Sequence, residues 1–514
     1  MTQCIILNGS GGSHTRKIIG RTLGPYRVAT ALGEAGYSSQ IIDFINDFTV
    51  EELCQALDQY LTPDTLWVGI SSTFVYPQDH TTNVNNVRTR NYGLETMYHH
   101  SYDDMLVLFE YIRSRSRAKI IYGGARSQFF TIDPKVDYYV FGNADVAIVD
   151  LTRYLSGQVD HIQHVQNIMI EGQPCQAIDS TDYPEPTMDR LSTQWWLPQH
   201  HVLPQESLPI ELARGCIFKC KFCSFHLTGK KKGTYVRDMA EIRDDMIRIY
   251  EATGTTNYWF VDDTFNDDND KIDALHRMIT SLPFKIQFTC YLRIDLINRY
   301  PHQAELLKEM GLIGTFFGVE TFQPDSARAI GKGLAPNRVK DRLYWLEDQW
   351  RGRVNIETAF ILGLPYDTHE YFYDLIRWCM EADNPVQCIN FTPLSLYYYN
   401  KSRPEWDKYA SEFSLHPDIY GYQVEEGRPT SWRLPSQNLD YATCHRIANQ
   451  FNDLREPRNM LSGLTMPSML NVGVTHDVMM TSPMVEIQRR HPFQQNGQQM
   501  IDQYKQLIFK GPPQ

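Results

Sequence analysis

Two rhythms of apolar residues alternate along the first part of the chain. Short apolar runs, of the kind that make buried strands, are separated by stretches in which apolar residues recur at helical spacing. Residues 3–8 form a strand pattern, Leu23–Tyr37 a helix stopped by Gly36, Ser39–Phe44 a strand, Val50–Leu61 a helix, and Leu66–Thr73 a strand ending in small polar residues. Tyr102–Arg115 is a helix and Lys119–Gly124 a strand ending in paired glycines; Val136–Phe141 and Ala144–Leu155 close the series. Strands alternating with helices predict a parallel, doubly wound sheet. Ligands of such sheets bind outside the carboxyl ends of the strands, which places Ser71, Ser72, Thr73, Gly123 and Gly124 along one rim. Gly9-Ser10-Gly11-Gly12-Ser13 lacks both the Gly-Lys-Ser/Thr ending of a phosphate loop and the third glycine of a dinucleotide fingerprint. It reads as a strand-to-helix turn.

Residues 157–206 break the rhythm. They carry prolines at 174, 184, 186, 198 and 204 and no long periodic segment, and they read as an ordered linker. The adjacent His200 and His201 read as surface residues. The alternation resumes with strand patterns over 209–213, 258–261, 285–290, 314–321, 355–364 and 387–393, and helices between them, including Asp238–Thr253 and Ala304–Met310. Beyond Leu394 the signal is weaker. Leu439–Asn452 is an amphipathic helix, Met466, Met469, Met479, Met480 and Met484 read as core filler, and Tyr397, Tyr398, Tyr399 and Trp432 either wall a pocket or pack.

Composition narrows this picture. At 514 residues the chain has room for about two to four domains. Apolar residues make up 42% and charged residues 21%, as in ordinary globular proteins. A net charge of −12 argues against broad nucleic-acid binding, which leaves a basic footprint. The first residues lack the basic start and apolar length of a signal peptide, and no apolar run approaches a membrane span. The expectation is a cytoplasmic protein with reduced cysteines.

The candidate chemistry lies in Glu211-Leu212-Ala213-Arg214-Gly215-Cys216-Ile217-Phe218-Lys219-Cys220-Lys221-Phe222-Cys223. The spacing C-x3-C-x2-C lets one loop aim three thiolates at one centre, as an iron–sulfur cluster requires. An ordinary four-cysteine carrier needs a fourth ligand, and the next cysteine is Cys290. Zinc is the competing reading, but its loops show C-x2-C pairs and four ligands. Chance clustering is the other. Further along, an apolar strand runs into Asp262-Asp263-Thr264-Phe265-Asn266, another into Arg293-Ile294-Asp295, and a third into Gly318-Val319-Glu320-Thr321. A carboxylate ending a buried strand needs a partner, which for Glu320 is a ligand or a cation such as Arg293. The Asp-rich run to Asp270 lacks the alternation and central glycine of a calcium loop. Lys230-Lys231-Lys232 reads as a solvated loop, or as a basic patch for an anionic partner.

The cysteine spacing, with Phe222 just before the third cysteine, resembles the signature of radical S-adenosylmethionine (SAM) enzymes. The Asp262-Asp263 segment, Arg293-x-Asp295, Phe317-Gly318-x-Glu320-Thr321, Lys332-Gly333 and Gly363-Leu364-Pro365-x-Asp367-Thr368 follow in that superfamily's order over residues 209–395. The resemblance implies that Cys216, Cys220 and Cys223 hold a [4Fe–4S] cluster whose open iron binds SAM. Phe222, Asp262, Asp263, Arg293 and Glu320 would then line the SAM site, and a reductant such as flavodoxin or ferredoxin would supply the electron. The order of elements in residues 1–155, with Gly24-Pro25, Ser71-x-Thr73 and Gly123-Gly124, is similar to the cobalamin-binding domain that precedes many radical SAM cores. The histidine-on motif is missing, because Gly12 and Lys17 flank His14 where Asp and Gly would stand. Cobalamin without a histidine ligand and a scaffold without cobalamin both remain open.

The expected fold class is α/β, with a Rossmann-like cobalamin-binding-type domain over 1–156 and a linker over 157–206. A partial (β/α)6 radical SAM barrel follows over 207–395, and then a mostly helical C-terminal region over 396–514 that closes the active site. The expected function is SAM cleavage to a 5′-deoxyadenosyl radical and cobalamin-dependent methylation of a small molecule, without nucleic-acid or membrane partners. The competing functions are cobalamin-independent rearrangement, cyclisation, oxidation or transfer of another SAM-derived group, and a non-catalytic Fe–S redox sensor.

Overall fold

A computed structural model describes residues 2–10, 19–71, 102–124, 136–170, 173–184, 188, 192–224, 235–396, 410–424 and 431–512. Ser72, Thr73, Lys230–Lys232 and Tyr397–Tyr399, all singled out above, lie outside these residues, as do Gly11–Ser13, His14 and Lys17. The chain forms two compact units: residues 1–209, 244–255 and 493–514 make one, and residues 210–243 and 256–492 the other.

The first unit is built on a seven-stranded sheet. Its strands are β1 (Cys4–Leu7), β2 (Ser39–Ile42), β3 (Trp67–Ser71), β4 (Lys119–Gly124), β5 (Tyr138–Phe141), β6 (Val165–Ile170) and β7 (Gln173–Asp179), in the order β2-β1-β3-β4-β5-β7-β6. All neighbours pair parallel except β6 and β7. The helices α1 (Leu23–Glu34), α2 (Val50–Tyr60), α3 (Tyr102–Arg115) and α4 (Ala147–Leu155) are the crossovers that parallel strands demand. α2 starts with a capping box, Thr49 and Glu52 each satisfying the other's backbone amide.

Three expectations change here. Residues 157–206 are not a bare linker, because β6 and β7 extend the first sheet. His200 is not a surface residue: it is 3% exposed, edge-on to Tyr26, and burial holds its imidazole down at about 3. The carbonyls of His200 and His201 accept from the fully buried Arg21 guanidinium, which also pairs with Asp43 (2.7 Å) and Glu206 (2.8 Å). The region 396–514 is also divided, because its last helix belongs to the first unit. There the Tyr504 hydroxyl accepts from the Asp43 amide (2.8 Å) and Lys505 pairs with Glu52 (2.6 Å).

The second sheet is six-stranded, in the order β13-β12-β11-β10-β9-β8. Its strands are β8 (Leu208–Ile210), β9 (Asn257–Phe260), β10 (Gln287–Leu292), β11 (Leu312–Glu320), β12 (Asn355–Leu362) and β13 (Cys388–Pro393). Between them run α5 (Met239–Thr253), α6 (Asn269–Thr280), α7 (Ile294–Arg299), α8 (Gln303–Met310), α9 (Pro324–Ala329), α10 (Pro336–Trp350) and α11 (His369–Cys379). The pattern is the expected partial (β/α)6 barrel. Along β11 the outward Phe317 and Val319 are buried against the helices, while the inward Phe316, Gly318 and Glu320 are partly exposed. Inward Tyr291, Ala359, Ile361, Asn390 and Thr392 share that exposure, so the lumen is open to solvent.

The remaining elements of the second unit are mainly short: α12 (Glu412–Leu415), the strands β14 (Gln423–Val424), β15 (Trp432–Leu434) and β16 (Leu439–Asp440), the longer α13 (Tyr441–Arg455), and α14 (Met466–Asn471), α15 (His476–Thr481) and α16 (Met484–Arg490). The predicted helix at Leu439 begins at Tyr441, where Asp440 caps it. The last helix, α17 (Phe493–Phe509), is the one in the first unit. Ser462–Met469 stops the amino-terminal end of the barrel. A Cβ at Gly314 would fall 2.5 Å from the Gly463 carbonyl, so only glycine admits this stopper. Glu357, 4% exposed on β12, grips it: its carboxylate accepts from Ser462 Oγ (2.6 Å), Asn390 Nδ2 (2.9 Å) and the amides of Gly463 and Leu464.

Burial raises the Glu357 carboxyl to about 7 despite those donors. A folded value above the unfolded one means that its contribution is full at low pH and is lost as pH rises from about 4.5 through 7. Relative to Glu357→Gln, the native chain should lose about 2–3 kcal/mol of stability between pH 5 and pH 8. Denaturant titrations of both proteins at the two pH values measure this, and parallel curves would refute it.

Candidate functional site

The cysteine loop leaves the carboxyl end of β8, and a single buried acid sets its course. Asp262, 1% exposed and just past β9, accepts with Oδ1 from the amides of Leu212 (2.7 Å) and Ala213 (3.2 Å). Lys271 Nζ lies 3.7 Å from its Oδ2 and 2.5 Å from Asp267. Burial pushes the Asp262 carboxyl up to about 7, while Lys271 and the two amides oppose that. Lys271 reaches this place because Asp268 caps α6, accepting from the amides of Asp270 and Lys271. The cap of this helix is thus Asp268 and neither Asp262 nor Asp263. Arg214 pairs with Glu211 (2.6 Å), and Gly215 takes φ +78°, a left-handed turn that glycine allows without strain.

Cys216 follows this turn. Its sulfur lies 3.2 Å from Thr264 Oγ1, and burial raises its thiol while Thr264 and Arg293 lower it. Asp263, exposed at the end of β9, is close enough to raise that thiol further. The two neighbouring acids thus have different places: Asp262 faces the loop's backbone and α6, and Asp263 faces Cys216. Cys220 and Cys223 end a tight turn in which the Cys223 amide donates to the Cys220 carbonyl (3.0 Å). Lys221 and Phe222 are its corners, Phe222 partly buried.

Arg293 ends β10 and ties the loop to the strand ends. Two guanidinium nitrogens grip Asp295 (3.0 and 2.8 Å), a third donates to Cys220 Sγ (3.4 Å), and the guanidinium stacks 3.8 Å from the Phe218 ring centre. Asn266 fixes its backbone from both sides. Glu320 ends β11 after a bulge and takes φ +69°, a conformation that costs a non-glycine residue on the order of 1–3 kcal/mol. Its carboxylate lies 3.7 Å from Lys332 Nζ, which donates to the Gly318 carbonyl (2.7 Å). Burial raises the Glu320 carboxyl, against Lys332 and then Arg293. The partner of Glu320 is thus Lys332, with Arg293 in its field.

Cys216, Cys220, Asp263, Arg293 and Glu320 therefore gather at the carboxyl ends of the strands. Lys332 and Thr264 belong with them and were given no role from sequence; Lys332 was visible only as part of a short Lys-Gly segment. Among the described residues, no three His, Cys, Asp or Glu side chains converge as ligands of one metal ion would. The loop instead offers three thiols, with Thr264 as a polar neighbour at the Cys216 sulfur and Arg293 at that of Cys220. That donor set fits a multi-atom cluster, whose potential is tuned by hydrogen bonds to its sulfurs. In the first unit, Ser71 and Gly123 are cross-strand partners at the sheet's carboxyl edge, and Gly124 follows. All three are small and partly exposed.

Residues 210–379 match the sequence profile of the Radical SAM superfamily. It is 25% identical to an uncharacterized methyltransferase of Pyrococcus horikoshii over 36% of this chain and 41% of that protein. It is 25% identical to the hopanoid C-2 methylase of Rhodopseudomonas palustris, over 41% of this chain and 39% of the relative. With the hopanoid C-3 methylase of Methylococcus capsulatus the identity is 26%, over 58% and 59%. The chain thus spans about two fifths to three fifths of these relatives. Its fold is shared with TsrM, a radical SAM methyltransferase from Kitasatospora setae solved with cobalamin and a [4Fe–4S] cluster (TM-score 0.59, 16% identity, 97% of this chain and 100% of that one). It is also shared with the cobalamin-dependent SAM radical enzyme OxsB, solved with aqua-cobalamin and SAM (TM-score 0.53, 14% identity, 82% and 56%). Among the described residues no helix is long and apolar enough to cross a membrane.

Replacing Lys271 with Met should leave Asp262 and Asp267 buried without their cation, at a cost of about 3–5 kcal/mol. A fall of that size in unfolding free energy is the expected result, and a loss below about 1 kcal/mol would show that the loop is not held this way.

Proposed function

We propose that this chain is a radical SAM enzyme that methylates a small molecule with the help of cobalamin. The observation that carries the first part is the convergence of Cys220, Arg293 and Glu320 at one end of the barrel, with Asp263 beside Cys216. Cys216, Cys220 and Cys223 would hold a [4Fe–4S] cluster with one iron left for SAM. Held there, such a cluster would supply the electron for reductive cleavage of SAM and so the radical chemistry of hydrogen removal from an unreactive position.

The chain's own residues bind and orient. Asp263 offers a carboxylate to the SAM ammonium, a charge-assisted contact. Lys332 and Arg293 supply the positive charge of the site, Lys332 paired with Glu320 and Arg293 in its field. The strained backbone of Glu320 fixes its carboxylate toward Lys332 before any ligand arrives, which lowers the ordering cost of binding. Asp262 takes the structural share, holding the loop from which the cysteines project. The closed amino-terminal end of the lumen confines the substrate to the strand ends where the cysteines stand.

Methyl transfer is supported by the first unit's fold, held in common with two cobalamin-dependent enzymes, and by the methylase relatives. Ser71, Gly123 and Gly124 would carry the corrin ring on the sheet edge. A redox sensor would have no use for Asp263, Arg293 and Glu320 gathered beside the cysteines.

Anaerobic protein reconstituted with iron, sulfide and hydroxocobalamin should retain both cluster and corrinoid through gel filtration and cleave SAM when reduced. Cys220→Ala should abolish cleavage, leaving the first unit folded by circular dichroism and corrinoid retention. Cleavage surviving that change would end the cluster assignment. A cluster without retained corrinoid would end the methyl-transfer reading and favour rearrangement or oxidation.

A further inference from the structure

Lys221, between the second and third cysteines, is gripped from two sides. Its amide donates to the Ile330 carbonyl (3.1 Å) just after α9, and its carbonyl accepts from the Phe413 amide (3.0 Å) in α12. Its ammonium pairs with the Glu412 carboxylate, whose other oxygen accepts from the Tyr420 hydroxyl. Phe413 is fully buried, 4.4 Å from the ring of Tyr420 and 5.9 Å from that of Tyr422. The Tyr422 hydroxyl in turn donates to the Gly363 carbonyl (2.7 Å), beyond the end of β12. A short segment that follows all six barrel strands in sequence is thus anchored to the barrel at one point and to the cysteine loop at another.

We propose that Glu412 is a positioning residue for the cysteine loop: it tethers and neutralises Lys221, and so fixes the Cys220–Cys223 turn and screens the cluster from a nearby cation. The proposal rests on the cluster reading above. Cluster potentials respond to neighbouring charge and to hydrogen bonds at the sulfurs. Removing the carboxylate leaves an unpaired ammonium beside two ligands, which favours the reduced cluster and raises the potential. Removing the ammonium leaves an unpaired carboxylate and lowers it. Loosening of the loop alone would not produce opposite signs. The pair is partly exposed, with side chains 36% and 42% accessible, so solvent screening keeps the effect modest.

The test is a redox titration followed by electron paramagnetic resonance, on the anaerobically reconstituted full chain and on Glu412→Gln, Lys221→Gln and the double variant. Glu412→Gln should favour reduction about threefold, about 28 mV upward for a one-electron couple. Lys221→Gln should move the potential downward, and the double variant should return toward the native value. Single variants that shift together, or not at all, overturn the proposal. Should Glu412→Gln fail to hold a cluster, Lys221→Gln decides alone: a lowered potential supports the tether and an unchanged one refutes it. A native chain that takes up no cluster would sink the function proposed above, whereas an intact native cluster with unmoved variants would sink only this inference.

Discussion

The contact on which the site depends is the carboxylate of Asp262 against the amides of Leu212 and Ala213. A strand that has ended leaves backbone donors without ladder partners, and buried donors must be satisfied. Asp262 satisfies two at the point where β8 gives way to the cysteine loop. Burying that acid is expensive, and Lys271 offsets part of the cost while also serving Asp267. The capped start of α6 places Lys271. The direction in which Cys216 leaves the barrel therefore depends on a helix that begins just beyond the next strand.

The two ends of the barrel use buried acids in opposite ways. At the amino-terminal end Glu357 is surrounded by donors, two side chains and two amides, and it secures the stopper. At the carboxyl end Glu320 has one cation at 3.7 Å and a strained backbone. A fully satisfied network rigidifies, while a loosely paired carboxylate can change partner at less cost. Glu357 thus secures the end of the barrel away from the cysteines, while Glu320 keeps capacity for a further partner beside them.

The barrel and the cysteine loop were legible because they rest on local signals: apolar runs, a fixed cysteine spacing and strand-end motifs. The division between Asp262 and Asp263 was legible in principle. On a strand, alternate residues face opposite sides, so Asp262 continues the buried face of Tyr258 and Phe260, and Asp263 continues the lumen face of Trp259. What sequence hid depends on distant partners. Val165–Ile170 mixes Gln166 and Asn167 with apolar residues, as an edge strand can, and shows itself only beside β7. His200 is buried in company with Tyr26 and Arg21, both far away in sequence. The clamp on Lys221 comes from a segment that no motif marks.

The first unit divides its ligand rim by the same logic. Just past β1 and β2, Asn8 donates to Asp43 (2.6 Å), and Asp43 pairs with Arg21, whose guanidinium also reaches Glu206 and stacks 5.0 Å from the Tyr504 ring. All the polar members are buried, and separating them would leave ions in a medium that solvates them poorly. That half of the rim is committed to holding the unit together, including its last helix. The β3–β4 half presents Ser71 beside Gly123, with backbone and little bulk. A large planar ligand gains most where it displaces water from a surface without having to break ion pairs. A corrinoid bound as proposed above would then lie at the β3–β4 edge, where no ion pair of the Arg21 network has to be broken.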